Sequence, residues 1–139
     1  MLIDEVMTKE IITIAPDDTV VNACRKYGEN GVGCLIVTDK EICVGIITER
    51  DIIKKMICSY KDPRITKVSE IMSPDVKTIQ SLETLEKALE MMKKNKIKKL
   101  PVISNNVLVG IVTLTDIAHA RPDLTKRFID SWVKPRWDG

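Results

Sequence analysis

A short stretch that occurs twice in the chain decides the fold, Val44-Gly45-Ile46-Ile47-Thr48-Glu49-Arg50-Asp51 and Val109-Gly110-Ile111-Val112-Thr113-Leu114-Thr115-Asp116. Each copy runs from an apolar segment into a threonine that is followed, three residues later, by an aspartate. A threonine at this place caps the first turn of a helix, and the aspartate reaches back to the backbone N–H of the cap. Both copies therefore predict a strand that passes directly into a helix.

The two stretches belong to a longer internal repeat. A shift of 65 residues aligns Glu5–Ile52 with Glu70–Ile117 without a gap, and 15 of the 48 aligned positions are identical. A gapless match of this length indicates duplication. The repeat divides the chain into repeat 1 (1–58), a polar linker (59–68), repeat 2 (69–121) and a tail (122–139).

Each repeat predicts the same order of elements. A short extended piece precedes an amphipathic helix with apolar residues at i, i+3, i+4 and i+7, and two β-branched-rich runs then form a hairpin that leads into a second helix. The extended pieces are Ile11–Ile14 and Val76–Ile79, and the hairpins are Cys34–Thr38 with Ile42–Thr48 and Leu100–Ile103 with Val107–Thr113.

The predicted fold class is α/β, with two β-α-β-β-α repeats packed about a pseudo-two-fold axis and an additional C-terminal helix. Half of the chain is too short to bury a stable core alone, so the copies are expected to pack face to face. A two-fold relation would create two equivalent clefts where the copies meet.

Composition excludes several classes of function. The chain has 139 residues, 22 Lys plus Arg against 20 Asp plus Glu, and a net charge of +2. This charge is too small to favour binding to nucleic acid or to an anionic membrane. No apolar run approaches the ~20 residues of a membrane-spanning helix, and the first residues are acidic, unlike a signal peptide. The expected location is the cytoplasm.

Few residues are available for catalysis or metal binding. The chain has one histidine and no Cys-x-x-Cys pair, so we expect no metal site and no enzymatic activity. In a reducing cytoplasm the four cysteines are expected to be small free hydrophobic residues. A disulfide between Cys34 and Cys43, which could face each other across the first hairpin, stays open as an alternative.

The repeated Thr-x-x-Asp segment has two interpretations. As a capping box it only starts a helix. As a binding site, backbone N–H groups at the helix start and the threonine hydroxyl can donate to phosphate, while the carboxylate can accept from ribose hydroxyls. Recurrence of the whole unit at identical spacing in a duplicated α/β pair favours the second interpretation.

The sequence resembles a tandem pair of CBS (cystathionine-β-synthase) domains over roughly residues 1–120. The resemblance rests on the two Gly-h-h-Thr-x-x-Asp endings (h, apolar), on the openings Val6-Met7-Thr8 and Ile71-Met72-Ser73, and on the strand Lys99-Leu100-Pro101-Val102. It implies a compact, usually dimeric and non-catalytic module that senses adenosine nucleotides (AMP, ADP or ATP) or S-adenosylmethionine and signals to a partner protein. The alternative is a ligand-independent interaction or dimerisation module with unused clefts.

The resemblance also implies two sites, each built from both repeats. Site A would comprise Ile111, Thr113, Thr115 and Asp116 with Val32, Gly33 and Cys34. Site B would comprise Ile46, Thr48, Arg50 and Asp51 with Ile97, Lys98 and Lys99. The residues Ile14 and Pro16, with their counterparts Ile79 and Ser81, would line the same clefts. In both sites the aspartate is assigned to the ribose diol and the threonine to phosphate.

The two sites differ in charge. Site B gathers Arg50, Lys98 and Lys99, which favour phosphate through charge-assisted hydrogen bonds. Site A is neutral apart from Asp116. We therefore expect site B to prefer the more highly charged nucleotide.

The tail predicts a further helix over Asp123–Lys134, which Pro135 ends. Its apolar residues, including Phe128 and Trp132, recur at near-helical spacing. Two interpretations stay open, because the helix could simply cover exposed core or could serve as a dimer or partner interface.

Overall fold

The computed structural model describes residues 1–32 and 34–132. Its helices are α1 (Ile3–Val6), α2 (Val20–Asn30), α3 (Glu49–Ile52), α4 (Val68–Ile71), α5 (Leu85–Asn95), α6 (Leu114–Ala120) and α7 (Pro122–Trp132), and a π-helical turn over Ile53–Ile57 continues α3. Its strands are β1 (Thr13–Ile14), β2 (Cys34–Asp39), β3 (Ile42–Thr48), β4 (Ile79–Gln80), β5 (Lys99–Ser104) and β6 (Val107–Thr113).

The strands form two sheets of the same topology, β1-β2-β3 and β4-β5-β6. In the first sheet β1 runs parallel to β2, and β2 pairs antiparallel with β3. In the second sheet β4 runs parallel to β5. Each repeat thus contains the predicted strand, helix, hairpin and helix, which confirms the α/β fold class.

The hairpin turns are tighter than the sequence suggested. Two residues connect the strands of each hairpin, Lys40 and Glu41 in the first and Asn105 and Asn106 in the second, and all four have positive φ. Positive φ at both central residues is the geometry of a type I′ turn, whose twist matches that of the flanking strands. Asparagine adopts it at lower cost than lysine or glutamate.

The register of the first hairpin separates two of its cysteines. Cys34 lies opposite Thr48, whereas Cys43 lies opposite Thr38 near the turn. The two thiols are therefore at different ends of the ladder, and the four cysteines form no disulfide with one another. This register excludes the alternative of a Cys34–Cys43 disulfide, because a bridge needs Cα atoms within about 7 Å.

The chain forms two compact units that exchange segments between the repeats. Unit 1 consists of 1–10, 77–105 and 109–139, and unit 2 consists of 11–76 and 106–108. The opening segment of repeat 1 thus packs with the body of repeat 2, and the opening segment of repeat 2 packs with the body of repeat 1. The repeat describes the duplication, whereas these units describe the packing.

Each unit has its own apolar core, in which the amphipathic helix covers the sheet. In unit 2 the stripe of α2 packs on β2 and β3, and the buried residues include Val20, Ala23, Leu35, Val37, Ile47, Val68 and Ile71. In unit 1 the stripe of α5 packs likewise, and the buried residues include Ile3, Leu85, Ala88, Met92, Leu100, Val102, Val112 and Ile117.

Helix α7 completes the core of unit 1. Its Phe128 is 9% exposed and belongs to the buried cluster, and Leu124 packs against it. The interpretation that the tail helix covers exposed core is therefore confirmed for this face. Lys134 and Pro135, which the sequence placed at the end of the helix, lie outside the described residues.

Two short helices, α1 and α4, were missed because four residues are too few to show a helical period. Each ends at an extended methionine, and the residue after that methionine forms a bridge with a strand of the other repeat. The N–H of Thr8 donates to the carbonyl of Ile111 at 2.8 Å and the N–H of Ile111 donates to the carbonyl of Thr8 at 3.0 Å. Ser73 and Ile46 form the same reciprocal pair, at 2.8 and 3.0 Å.

These bridges require a glycine on the strand. A Cβ added at Gly45 would lie 2.5 Å from the sulfur of Met72, and one added at Gly110 would lie 2.9 Å from the carbonyl oxygen of Thr8. Both distances are shorter than van der Waals contact. Both repeats carry this glycine and this methionine at aligned positions, and the glycine of each repeat meets the methionine of the other. The glycine is therefore a packing requirement.

Substitution of either glycine by alanine should lower the free energy of unfolding, by about 2 kcal/mol for Gly110→Ala, the cost typical of overpacking. Gly45→Ala should cost less, because the flexible Met72 side chain can move whereas the backbone carbonyl of Thr8 cannot. Urea unfolding followed by circular dichroism measures both. Gly28→Ala is the control, since an added Cβ there meets no atom within 4 Å. Equal stability of Gly110→Ala and wild type would contradict the requirement.

Candidate functional site

The junction of β3 with α3 is a complete capping box. The Oγ1 of Thr48 accepts a hydrogen bond from the N–H of Asp51 at 3.2 Å, and the N–H of Thr48 donates to Oδ2 of Asp51 at 3.0 Å. The hydroxyl of Thr48 also donates to that oxygen at 3.1 Å. The predicted helix start is confirmed, and the same contacts fix the direction of the carboxylate.

The junction of β6 with α6 repeats this geometry. The N–H of Asp116 donates to Oγ1 of Thr113 at 3.0 Å, and the N–H of Thr113 donates to Oδ2 of Asp116 at 3.0 Å. In addition, the N–H of Leu114 donates to the carbonyl of Lys98 at 2.9 Å. The amides of residues 113, 114 and 116 are therefore already engaged, and phosphate binding here depends on the remaining donors.

The carboxylate of Asp51 is surrounded by donors. The residue is 8% exposed. Its Oδ1 accepts a hydrogen bond from the hydroxyl of Ser73 at 3.3 Å and lies 3.1 Å from Nζ of Lys55. Lys55 also donates to the carbonyl of Ile71 at 2.9 Å, so its ammonium group is held between α3 and α4.

The carboxylate of Asp116 has a more open environment. Asp116 is only partly buried. The hydroxyl of Thr8 lies 3.5 Å from Oδ1 and 3.4 Å from Oδ2, both of which are long hydrogen bonds. The position four residues further on, which carries the ammonium group in the first junction, is Ala120.

Sequence reasoning missed three residues at these carboxylates, Thr8, Ser73 and Lys55. A signal for the first two was present, because Thr8 and Ser73 are aligned by the 65-residue shift and both carry a hydroxyl. Lys55 could have been found from its i, i+4 spacing to Asp51, which favours an ion pair on one helical face.

The predicted site residues differ widely in exposure. Ile14 and Ile79 are each 3% exposed and belong to the apolar cores of their units. Arg50, Lys98, Lys99 and Thr115 are exposed. Those of intermediate exposure are Pro16, Val32, Cys34, Ile46, Thr48, Ile97, Ile111, Thr113 and Asp116. Gly33 lies outside the described residues.

Within each unit the structure brings part of these residues together. In unit 2 the ladder places Cys34 opposite Thr48, one capping turn from Asp51. In unit 1 the backbone hydrogen bond between Lys98 and Leu114 joins the start of β5 to the α6 junction. Predicted site A and predicted site B each draw residues from both units.

Tyr27 of α2 anchors the end of β3 beside the first junction. Its hydroxyl donates to the carbonyl of Ile47 at 2.5 Å. Burial of the phenol, reinforced by the thiol of Cys34 and the carboxylate of Asp51, raises the pKa of Tyr27 well above its usual value. The aligned residue of repeat 2 is Met92, which offers no hydroxyl.

Other chemistry is not prominent in the described part of the chain. Across residues 1–32 and 34–132, no three His, Cys, Asp or Glu side chains lie close enough to share a metal ion. Burial raises the pKa of the Cys43 thiol, which disfavours the reactive thiolate. In the same residues, none of the helices has the length and apolarity needed to cross a membrane.

The chain belongs to the CBS-domain family. The family model for the CBS domain matches residues 3–57 and 68–123, which together cover most of the sequence. CBS domains are commonly regulatory and ligand-binding modules, and standalone CBS-domain proteins are generally regulatory and not catalytic.

Similar proteins range from chains of comparable length to much longer ones, and this chain spans less than two thirds of the first two relatives. An uncharacterised protein of Methanopyrus kandleri is 36% identical over 88% of this chain and 63% of its own length. The inosine-5′-monophosphate dehydrogenase of Methanocaldococcus jannaschii is 38% identical over 85% of this chain, which spans 23% of that enzyme. A CBS domain-containing protein of Bacillus subtilis, YhcV, is 32% identical over 84% of this chain and 82% of its own length.

Solved structures show the same fold. A conserved CBS domain protein of unknown function from Thermoplasma acidophilum matches with a TM-score of 0.80 and 26% identity, covering 94% of this chain and 75% of that one. A hexameric CBS-CP12 protein from bloom-forming cyanobacteria matches with a TM-score of 0.74 and 29% identity, covering 84% and 66% of the two chains.

The raised pKa of Tyr27 predicts a loss of stability at alkaline pH. The native state favours the neutral phenol, so its contribution is complete below the unfolded-state pKa of about 10 and declines as the pH rises above that value. Tyr27→Phe should be about 1 kcal/mol less stable at pH 7, because a hydrogen bond is lost. Its stability should then fall less steeply than that of wild type above pH 10. Urea unfolding between pH 7 and pH 11.5 measures both, and parallel pH profiles would contradict the assignment.

Proposed function

We propose that this CBS-domain pair is a regulatory module that binds adenosine nucleotides, AMP, ADP or ATP, at the two Thr-x-x-Asp junctions. The observation that carries the proposal is the pair of oriented carboxylates, Asp51 and Asp116. Each is fixed by its capping box at the end of a strand and has a hydroxyl partner from the opening segment of the other repeat. A fixed carboxylate beside a strand end suits a vicinal diol such as that of ribose.

The surroundings of the junctions support a nucleotide of this kind. Ile46 and Ile111 are partly exposed on the adjoining strands and offer apolar surface for a base. Arg50, Lys98, Lys99 and Thr115 are exposed and offer donors for phosphate. S-adenosylmethionine shares the adenosine part and is a further candidate ligand.

The regulatory output is proposed to reach a separate effector protein or to act through a change in oligomeric state. Regulation requires that the ligand bind one arrangement of the module better than another. We propose a homodimer as the basic assembly and the cytoplasm as its location. The hexameric cyanobacterial relative supports oligomerisation of such modules.

A second candidate is a ligand-independent interaction module. Three large apolar side chains that follow α3 support it, because Ile53, Ile57 and Tyr60 are 54%, 66% and 96% exposed. Large exposed apolar side chains that lie close together in the chain are a feature of interaction surfaces. The two candidates differ in their response to adenosine compounds.

Adenosine nucleotides should raise the melting temperature of the wild-type protein, since a ligand that binds only the native state stabilises it. Asp51→Asn combined with Asp116→Asn should abolish the increase, because the amide cannot replace the carboxylate as a double acceptor. A thermal-shift panel of AMP, ADP, ATP and S-adenosylmethionine measures this, and calorimetric titration supplies the affinities.

The matched control is Asp123→Asn, which changes an exposed aspartate of α7 that pairs with Arg121. This variant should respond to ligand like wild type. Absence of a shift with every compound in wild type would refute nucleotide binding and favour the interaction module.

The preference between AMP and ATP should depend on one aligned pair. Arg50 is exposed one residue before Asp51, whereas the aligned position before Asp116 is Thr115. Arg50→Thr should therefore weaken the binding of ATP at the first junction more than that of AMP. A lost charge-assisted contact should lower the ATP affinity by about tenfold. Thr115→Arg should strengthen the binding of ATP at the second junction. Calorimetry with both nucleotides tests the pair, and equal losses for AMP and ATP would contradict the preference.

A further inference from the structure

We propose that Lys55 is a specificity-determining residue that makes the two junctions unequal, so that ribose diols bind first at Asp116. The proposal rests on the proposed function, since it concerns the same carboxylates. It requires neither a new ligand nor a change of fold.

The acceptor capacity of Asp51 is already used. An ionised carboxylate has about four lone-pair positions. The backbone N–H and the hydroxyl of Thr48 occupy two of them, on Oδ2, at 3.0 and 3.1 Å. On Oδ1 the hydroxyl of Ser73 at 3.3 Å and the ammonium group of Lys55 at 3.1 Å occupy the other two.

Lys55 is the strongest of the donors to Oδ1. It is the only one of the two that carries a charge, and charged donors form the stronger hydrogen bonds. Its second hydrogen bond, to the carbonyl of Ile71 at 2.9 Å, holds the ammonium group in place. A ribose hydroxyl that donates to Oδ1 of Asp51 must therefore displace the ammonium group of Lys55 or share that oxygen with it.

The carboxylate of Asp116 has fewer donors around it than that of Asp51. Its Oδ2 accepts one short hydrogen bond, from the N–H of Thr113, and the hydroxyl of Thr8 lies at 3.4 and 3.5 Å from the two oxygens. Ala120 occupies the position of Lys55, and a methyl group neither donates nor carries charge. A diol can replace the long contact with Thr8 at little cost.

The same lysine changes what the first junction selects. With the diol acceptor partly blocked and Arg50 exposed beside it, the Asp51 junction discriminates by phosphate charge. The Asp116 junction discriminates by the ribose hydroxyls. Two sites of common origin thereby acquire different ligand preferences through one side chain four residues beyond the aspartate.

The test uses ligands that separate the diol from phosphate. Adenosine carries the diol without phosphate, and 2′,3′-dideoxyadenosine carries neither. In an Asp116→Asn background, where only the first junction keeps its carboxylate, Lys55→Met should tighten adenosine binding by about threefold, the size that a half-exposed ion pair supports. In an Asp51→Asn background, Ala120→Lys should weaken adenosine binding by a similar factor. Circular dichroism and melting curves establish that each variant is folded.

The outcomes are distinct. A gain for adenosine in Lys55→Met, with no gain for dideoxyadenosine, supports the proposal. Unchanged or weaker adenosine binding in Lys55→Met overturns the role of Lys55 but leaves nucleotide binding intact. An equal gain for adenosine and dideoxyadenosine does the same. Unchanged binding in Ala120→Lys also overturns it. If adenosine and AMP bind neither wild type nor any variant, the proposed function fails and this inference fails with it.

Discussion

The structure depends on a close approach between two pieces of main chain. In each unit an opening segment exchanges two backbone hydrogen bonds with a strand of the other repeat, Thr8 with Ile111 and Ser73 with Ile46. A glycine next to the bridged residue makes this approach sterically allowed. The bridge brings the hydroxyls of Thr8 and Ser73 to the carboxylates, so the same contact that joins the repeats also completes the candidate sites.

The capping boxes start the two helices and also orient the carboxylates of the candidate sites. Thr48 and Asp51 satisfy each other's polar groups and begin α3, as Thr113 and Asp116 do for α6. Such reciprocal bonds fix the rotamer of the aspartate before any ligand arrives, which reduces the ordering that binding would otherwise require. The same hydrogen bonds occupy donors and acceptors of the threonine and the aspartate. The hydrogen-bonding capacity that remains at each junction therefore depends on the neighbouring side chains.

Duplication supplied two equal frameworks, and later substitutions made them different. The backbone contacts of the two junctions agree closely, whereas the side chains around them do not. Lys55 is matched by Ala120, and Tyr27 is matched by Met92. One junction is therefore crowded with donors and anchored by a phenol, while the carboxylate of the other has fewer and longer contacts. Equivalent folds can in this way present different side chains at corresponding positions.

The sequence alone determined the repeat, the α/β order of elements, the hairpins and both capping boxes. All of these rest on local spacing, which periodicity and residue type report directly. Only the tertiary structure decided the exchange of the opening segments and the hydroxyl partners that these segments bring to Asp51 and Asp116. These depend on contacts between residues far apart in the chain, such as Thr8 with Asp116, 108 positions away. Local propensity carries no information about such pairs, because packing and register bring them together.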